Sequence, residues 1–108
     1  MASEAVAAAY LELVGCEVLS RNCRMSGVEV DLVVTEGPTR VLVEVKFRGR
    51  SDYGGAALSV DHLKRQRLLK AARALSVEQT GPVRIDVVAV ELSSDGMVVR
   101  HYRNAVTE

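Results

Sequence analysis

The chain has 108 residues, 14 basic and 14 acidic side chains, 48% apolar residues and no Trp. That length and composition exclude a disordered chain and a multidomain protein, and describe one domain over residues 1–108 with a Val/Leu/Ala core. Formal net charge is zero. Bulk charge therefore gives no support for nucleic-acid binding, but between Arg21 and Arg73 eleven Lys/Arg stand against six acids, an uneven distribution that suits an anionic partner. Cys16 and Cys23 are the only cysteines and form no Cys-x-x-Cys pair. A zinc site built from them with His62 and His101 has no spacing to recommend it, and plain buried or half-buried thiols are expected. With no signal peptide, membrane-length apolar run or disulfide spacing, the expected location is the cytoplasm, away from membranes.

In chain order, Ser3 is placed to cap a helix that runs to Val14 and ends at Gly15. Val6, Tyr10, Leu13 and Val14 share one helical stripe, predicted to face the core, with Glu4 pointing away from its centre. A first strand is expected over 16–23, and 24–27 turns the chain into a hairpin.

That hairpin comprises two runs rich in β-branched residues, Glu29-Val30-Asp31-Leu32-Val33-Val34-Thr35-Glu36 and Arg40-Val41-Leu42-Val43-Glu44-Val45-Lys46-Phe47, flanking Gly37-Pro38. Alternation puts Val28, Val30, Leu32 and Val34 on one face of the first strand and Glu29, Asp31 and Val33 on the other. In the second, Val41, Val43, Val45 and Phe47 share a face opposite Leu42, Glu44, Lys46 and Arg48. A two-residue Gly37-Pro38 loop sets Asp31 across from Glu44 and Glu29 across from Lys46. A turn with Pro38 at its second position instead shifts Lys46 opposite Asp31. Either register gathers two carboxylates and an ammonium on one face. Like charges at that separation repel, so the face is either solvated or used.

Residues 48–55 are polar and glycine-rich, expected to form a loop directly after this strand that could close over a substrate. Asp61 is placed to cap a second helix reaching Val77, buried along Leu68, Ala71, Ala72 and Leu75, with His62, Gln66, Lys70 and Arg73 on its far side. Lys64 projects near the buried stripe, so its stem should lie along the sheet with its ammonium at an edge. Thr80-Gly81-Pro82 ends this region. The near-continuous apolar run 83–92 suits a strand covered on both faces, parallel to the Glu-x-Lys strand, and 97–102 a final edge strand.

An acid followed after twelve residues by Glu-x-Lys on an adjacent strand resembles the site of the restriction-endonuclease-like nucleases. The wider pattern is similar to the bacterial YraN family of small predicted endonucleases, from about Ser3 to Val90. It is carried by Glu4-Ala5-Val6-Ala7-Ala8-Ala9-Tyr10-Leu11, Val18-Leu19-Ser20-Arg21-Asn22, Gly27-Val28-Glu29-Val30-Asp31-Leu32, Val43-Glu44-Val45-Lys46, Lys64-Arg65-Gln66-Arg67-Leu68 and Arg84-Ile85-Asp86-Val87-Val88. Archaeal Holliday-junction resolvases show a similar arrangement of helix glutamate, strand acid and Glu-x-Lys. The resemblance implies an α/β fold with a restriction-endonuclease-like α-β-β-β-α-β core, a mixed sheet and an extra C-terminal edge strand. It also implies Mg²⁺ or Mn²⁺ held by Asp31, Glu44 and the Val45 carbonyl, with Lys46 catalytic and Glu4 a third acid; the other reading of Glu4 is a first-turn carboxylate serving the helix dipole. DNA, branched in form, is the implied substrate, with Arg48, Arg50, Tyr53, Lys64 and Arg67 expected to meet it. Val30 stands where the superfamily motif often has a proline.

Phosphodiester hydrolysis suits such a set: a hard cation on carboxylates relieves phosphate charge and supplies a nucleophile at neutral pH. Lys46, beside two carboxylates, should stay charged and act on transition-state charge rather than as a base. Three functions follow: a metal-dependent endonuclease of recombination or repair, a non-catalytic DNA-binding or adaptor domain on the same scaffold in recombination or DNA uptake, or an RNA nuclease. Two related cuts in a junction would call for a two-fold homodimer.

Overall fold

The computed structural model describes residues 2–49 and 61–108. In chain order it contains α1 (Ala2–Leu13), β1 (Glu17–Met25), β2 (Val28–Glu36), β3 (Thr39–Arg48), α2 (His62–Glu78), β4 (Val83–Ser93) and β5 (Gly96–Tyr102). The strands make one sheet in the order β1-β2-β3-β4-β5, antiparallel except for the parallel β3–β4 pair. This is the mixed α/β architecture expected from the sequence, with β5 as the added edge strand.

The helices cover opposite faces of the sheet. Val41 and Val43 pack with Ala7, Ala8 and Leu11 of α1, whereas Leu42 between them packs with Leu68, Leu69, Ala71 and Leu75 of α2, as alternation along a strand requires. Parallel β3 and β4 form the middle of the molecule, and Ile85, Val87, Val88, Ala89 and Val90 are all buried.

The β2–β3 hairpin adopts the two-residue register, with Glu36 facing Thr39 and Leu32 facing Val43. Gly37 has φ 57°, and Pro38 cannot take a positive φ. A turn with only its first central residue left-handed is type II′, whose twist matches that of the flanking strands. Pro38 is thereby accommodated at the third turn position without splaying the pair.

Three sequence expectations are corrected. Ser3 lies inside α1 rather than capping it; its hydroxyl is buried with no hydrogen-bond partner among the described residues. The buried stripe of α1 is Ser3, Ala7, Ala8 and Leu11, while Leu13 is 87% exposed and Val14 is also exposed. Alanines bring the helix axis close to the sheet, so the small-residue face wins over the one carrying larger side chains. The helix ends after Leu13: Gly15, at φ 99°, and Cys16 donate to the carbonyls of Glu12 and Leu11 at 3.1 and 2.9 Å, a Schellman ending.

The third correction bears on the site. Val28 and Val30 pack on the α2 face, but Leu32 and Val34 pack on the α1 face and Val33 on the α2 face. The strand therefore turns over at Asp31. Its neighbour β1 does the same: the register passes from Arg21↔Leu32 to Cys23↔Val30, and Asn22 between them has φ 51°. The single apolar face expected for Val28, Val30, Leu32 and Val34 is thus split in two.

Candidate active site

Because β2 changes sides at Asp31, this carboxylate escapes strict alternation and reaches along the sheet. Its Oδ2 accepts the Val45 N–H at 2.8 Å. The β2–β3 pairing ends at Leu32↔Val43, and a buried backbone N–H just beyond it needs an acceptor. Asp31 supplies one. The same bond fixes the carboxylate against the first strand residue after Glu44.

Glu44 occupies the α2 face of β3, 6% exposed and flanked by apolar strand residues. Burial pushes its carboxyl up to about 7, and hydrogen bonding with Asp31 and the Asp31 charge push the same way; Lys64 and Lys46 oppose them. Two carboxylates side by side resist double ionisation unless a cation joins them. Lys64, the third residue of α2, provides part of that relief: its Nζ is 3.6 Å from Glu44 Oε2 and donates to the Glu29 carbonyl at 3.2 Å. The expectation that its stem would follow the sheet holds, and the ammonium ends on the acid itself.

The Asp61 side chain caps α2 by accepting the Lys64 N–H at 3.0 Å. That N–H holds the Asp61 carboxyl below its ordinary range, and the Lys46 and Arg67 charges act in the same direction. Asp31, Glu44 and Lys64 therefore meet where β2 and β3 part, and the Lys46 charge acts on both Glu44 and Asp61.

Does this donor set fit a hard divalent cation? Its ligands would all be oxygens: two carboxylates in mutual contact, one partly charge-neutralised, and the backbone of Val45. Among the described residues no group of three His, Cys, Asp or Glu side chains gathers around one point. A cation that keeps several waters and takes one or two carboxylates suits two acids plus a carbonyl. The residues fit Mg²⁺ or Mn²⁺ and do not resemble a closed zinc site.

Glu4 lies on the same side of α1 as the buried Ala8 and Leu11, one and two turns nearer the N-terminus. It therefore lies away from the stripe expected from the sequence and beside the one observed, and it is half-buried. Of the residues expected to meet DNA, Arg48 ends β3, with one guanidinium nitrogen donating to the Phe47 carbonyl at 3.0 Å and its Nε buried without a partner among the described residues. Arg67 is exposed on α2. Arg50 and Tyr53 fall outside the described residues. His62, Gln66, Lys70 and Arg73 are exposed together, as expected.

A second polar cluster, on the α1 face, was not foreseen. Asp86 is 1% exposed in the midst of the apolar β4. It accepts from Arg84 Nε at 2.9 Å and Nη2 at 3.1 Å, and from the Asn104 N–H at 2.9 Å, while His101 Nε2 lies 2.8 Å away. Tyr10 OH is 3.1 Å from the other imidazole nitrogen. A neutral ring with its proton on Nε2 satisfies both contacts. Arg84 and Arg103 also bind Glu36, at 2.6 and 3.2 Å, and hold its carboxyl below the usual range. The signal was present in the sequence as one Asp in a run covered on both faces, since such a charge must be paired. His101 is committed to this network, and Cys16 and Cys23 remain separate buried and half-buried thiols.

No helix among the described residues is long and apolar enough to cross a membrane. Residues 3–90 match the family model described as "Uncharacterised protein family UPF0102", the span over which the sequence resembles the YraN pattern. The chain is 44% identical to a UPF0102 protein of Methylococcus capsulatus, over 96% of this chain and 86% of that one. It is 43% identical to a UPF0102 protein of Pelotomaculum thermopropionicum, over 94% and 89% of the two chains. The UPF0102 protein YraN of Salmonella agona is 42% identical over 80% of this chain and 70% of its own. The matched span takes in α1, the paired carboxylates, Lys46 and Lys64, and the chain belongs to the UPF0102 (YraN) family.

Proposed function

We propose that this protein is a divalent-metal-dependent endonuclease that hydrolyses phosphodiester bonds in branched or otherwise structured DNA. The observation that carries the reading is the meeting of Asp31 and Glu44 where β2 and β3 separate, with Asp31 fixed by the Val45 N–H and Glu44 forced up to about 7. Capping the Val45 N–H accounts for Asp31 alone and not for a second carboxylate set against it, because two carboxylates in contact cost stability.

Asp31, Glu44 and the Val45 carbonyl would hold the cation. When bound, it supplies Lewis acidity toward the phosphate and lowers the pKa of a coordinated water. The chain's own residues do the remainder. Val45 N–H keeps one Asp31 oxygen engaged, leaving the other to the site. Lys46 supplies a positive charge next to the acids, placed to stabilise the additional negative charge that builds on the phosphate during attack. Arg48 and Arg67 offer further positive charge at the end of β3 and along α2, suited to the DNA backbone.

Intact acids with Lys46 favour catalysis over the non-catalytic adaptor reading, and the zero net charge favours neither. Incubation of the protein with duplex, flap, four-way-junction and single-stranded DNA, and with matched RNA, in Mg²⁺ or Mn²⁺ tests both. Cleavage strongest on branched DNA supports the proposal. Binding without cleavage on every substrate supports the adaptor.

The family resemblance offers Glu4 as a third acid, although among the described residues it does not join Asp31 and Glu44 around one point. With Glu4 in that role, Glu4→Gln is expected to reduce cleavage by at least about 100-fold, the usual scale for a group acting on the reacting centre, with a change in stability below about 1 kcal/mol. A helix-dipole role alone predicts wild-type cleavage rates. Paired cuts in a junction require a dimer, and β5 is the better edge for it. β1 is interrupted by a bulge between Val18 and Ser20 and by the left-handed Asn22, whereas β5 exposes Met97, Val98 and Tyr102. Sedimentation with and without junction DNA should show a dimer in at least one condition; a monomer in both would leave a nicking enzyme.

A further inference from the structure

Lys64 is the feature that the proposed chemistry leaves unexplained. It comes from α2, outside the hairpin, and its ammonium contacts Glu44 Oε2 at 3.6 Å and the Glu29 carbonyl at 3.2 Å. Its side chain keeps 27% of its exposure while Glu44 keeps 8%. One end of the pair is therefore anchored in the sheet, and the other sits on a flexible stem that reaches solvent. Lys64 also follows immediately on the capped start of α2, where the Asp61 side chain takes its backbone N–H at 3.0 Å, so the backbone beneath that stem is fixed.

A cation bound at Glu44 would occupy the region this ammonium neutralises. Lys64 has somewhere to go, because its side chain is part-exposed and its second contact is a single carbonyl. Lys46 is differently placed: it is on the Glu44 strand itself and cannot leave the site by a change of rotamer on a separate element.

We propose that Lys64 is a built-in competitor for the divalent cation, its ammonium neutralising Glu44 in the metal-free protein and swinging out when the cation binds. This rests on the reading of Asp31 and Glu44 as cation ligands. Its consequence is a site held together without metal at the expense of metal affinity. The released ammonium, still tethered at the start of α2, becomes free to meet a DNA phosphate. Lys64 is thus a positioning residue whose partner depends on whether the cation is present.

The test is Mn²⁺ binding to the full chain by calorimetry at pH 8, using the wild type, Lys64→Met, Lys64→Arg and Asp31→Asn, with folding of each checked by circular dichroism. Lys64→Met is expected to bind Mn²⁺ on the order of tenfold more tightly than wild type, the scale of one partly buried charge contact removed. Lys64→Arg, which keeps the charge, is expected to stay within about threefold of wild type on the same scale. Folded Lys64→Met that binds Mn²⁺ equally or more weakly overturns the competitor role and leaves the ligand assignment standing. Wild-type affinity in Asp31→Asn, or no binding by the wild type, overturns the ligand assignment and the competitor role with it. If Lys64→Met does not fold, Lys64→Gln takes its place under the same criteria.

Discussion

Asp86→Ala is expected to destabilise the protein by about 3–5 kcal/mol, the cost of breaking a buried ion pair from one side. The carboxylate accepts four contacts, from Arg84 twice, from the Asn104 N–H and from His101 Nε2. Its removal leaves Arg84 with Glu36 as its only anionic partner among the described residues, and leaves both a buried N–H and an imidazole nitrogen without the Asp86 acceptor. Each orphaned group adds its own desolvation penalty. The damage should spread across three elements, because Tyr10 of α1 reaches the network through His101 of β5. Asp86→Asn keeps the shape and one acceptor and should cost less, about 1–3 kcal/mol. Urea unfolding measures both. A loss below about 1 kcal/mol in Asp86→Ala would show that the cluster is dispensable.

The second large effect is a pH dependence with an unusual sign for a carboxylate. Glu44 titrates near 4.5 when unconstrained and at about 7 in the fold, so over that window the folded state binds more protons than the unfolded one. Its contribution to stability is therefore fully present below pH 4.5 and lost as pH rises through 7. A shift of this size corresponds to a loss of about 3 kcal/mol across the window in metal-free protein, as an upper figure. Glu36 works the other way. Its carboxyl is held below the ordinary value by Arg84 and Arg103, so its contribution is present at neutral pH and is lost only as pH falls below 4.5. The two windows do not overlap. Thermal melts between pH 5 and 8 with a chelator present should show wild type weakening and Glu44→Gln flat or nearly so, with Glu44→Gln the more stable above pH 7. Parallel curves would mean that Glu44 ionises freely in the fold.

Much of this was legible in the sequence because strand alternation and glycine punctuation are local signals. The hairpin, the parallel strand after the helix, the Asp61 cap and the approach of Lys64 all follow from spacing. The choice of register depended on Gly37 taking a positive φ, and a type II′ turn is what admits Gly-Pro there. What escaped was non-local. The run Val28-Glu29-Val30-Asp31-Leu32-Val33-Val34 reads equally well as one apolar face or as two halves facing opposite ways. Only the coordinated change at Asn22 in the neighbouring strand decides between them. In α1 the largest apolar side chains marked the wrong face, because Ala7 and Ala8 contribute close approach rather than bulk. Asp86 was hidden for the opposite reason, since its partners come from Arg84, His101 and Asn104, separated by up to 18 residues.

The turnover of β2 at Asp31 links fold to function. A strictly alternating strand would point Asp31 straight out of one face, with its N–H and C=O in the ladder. By changing sides there, β2 frees a carboxylate to reach across to β3 and ends the pairing where Glu44, Val45 and Lys46 follow. Lys64 at the start of α2 reaches Glu44 at the same place. Stability is spent at this point through the Asp31–Glu44 contact, and the Asp86 network holds β4, β5 and α1 together elsewhere.

In the proposed function, Asp31 and Glu44 form one metal-dependent hydrolytic site. This is tested most directly by following an end-labelled four-way junction with wild type and Asp31→Asn, each in Mg²⁺, in Mn²⁺ and in chelator. Wild type is expected to cut in either metal and not in chelator, and Asp31→Asn to be slower by at least about 1,000-fold, as for loss of a group central to the reacting site. Cutting by Asp31→Asn at the wild-type rate, or by wild type in chelator, would contradict it.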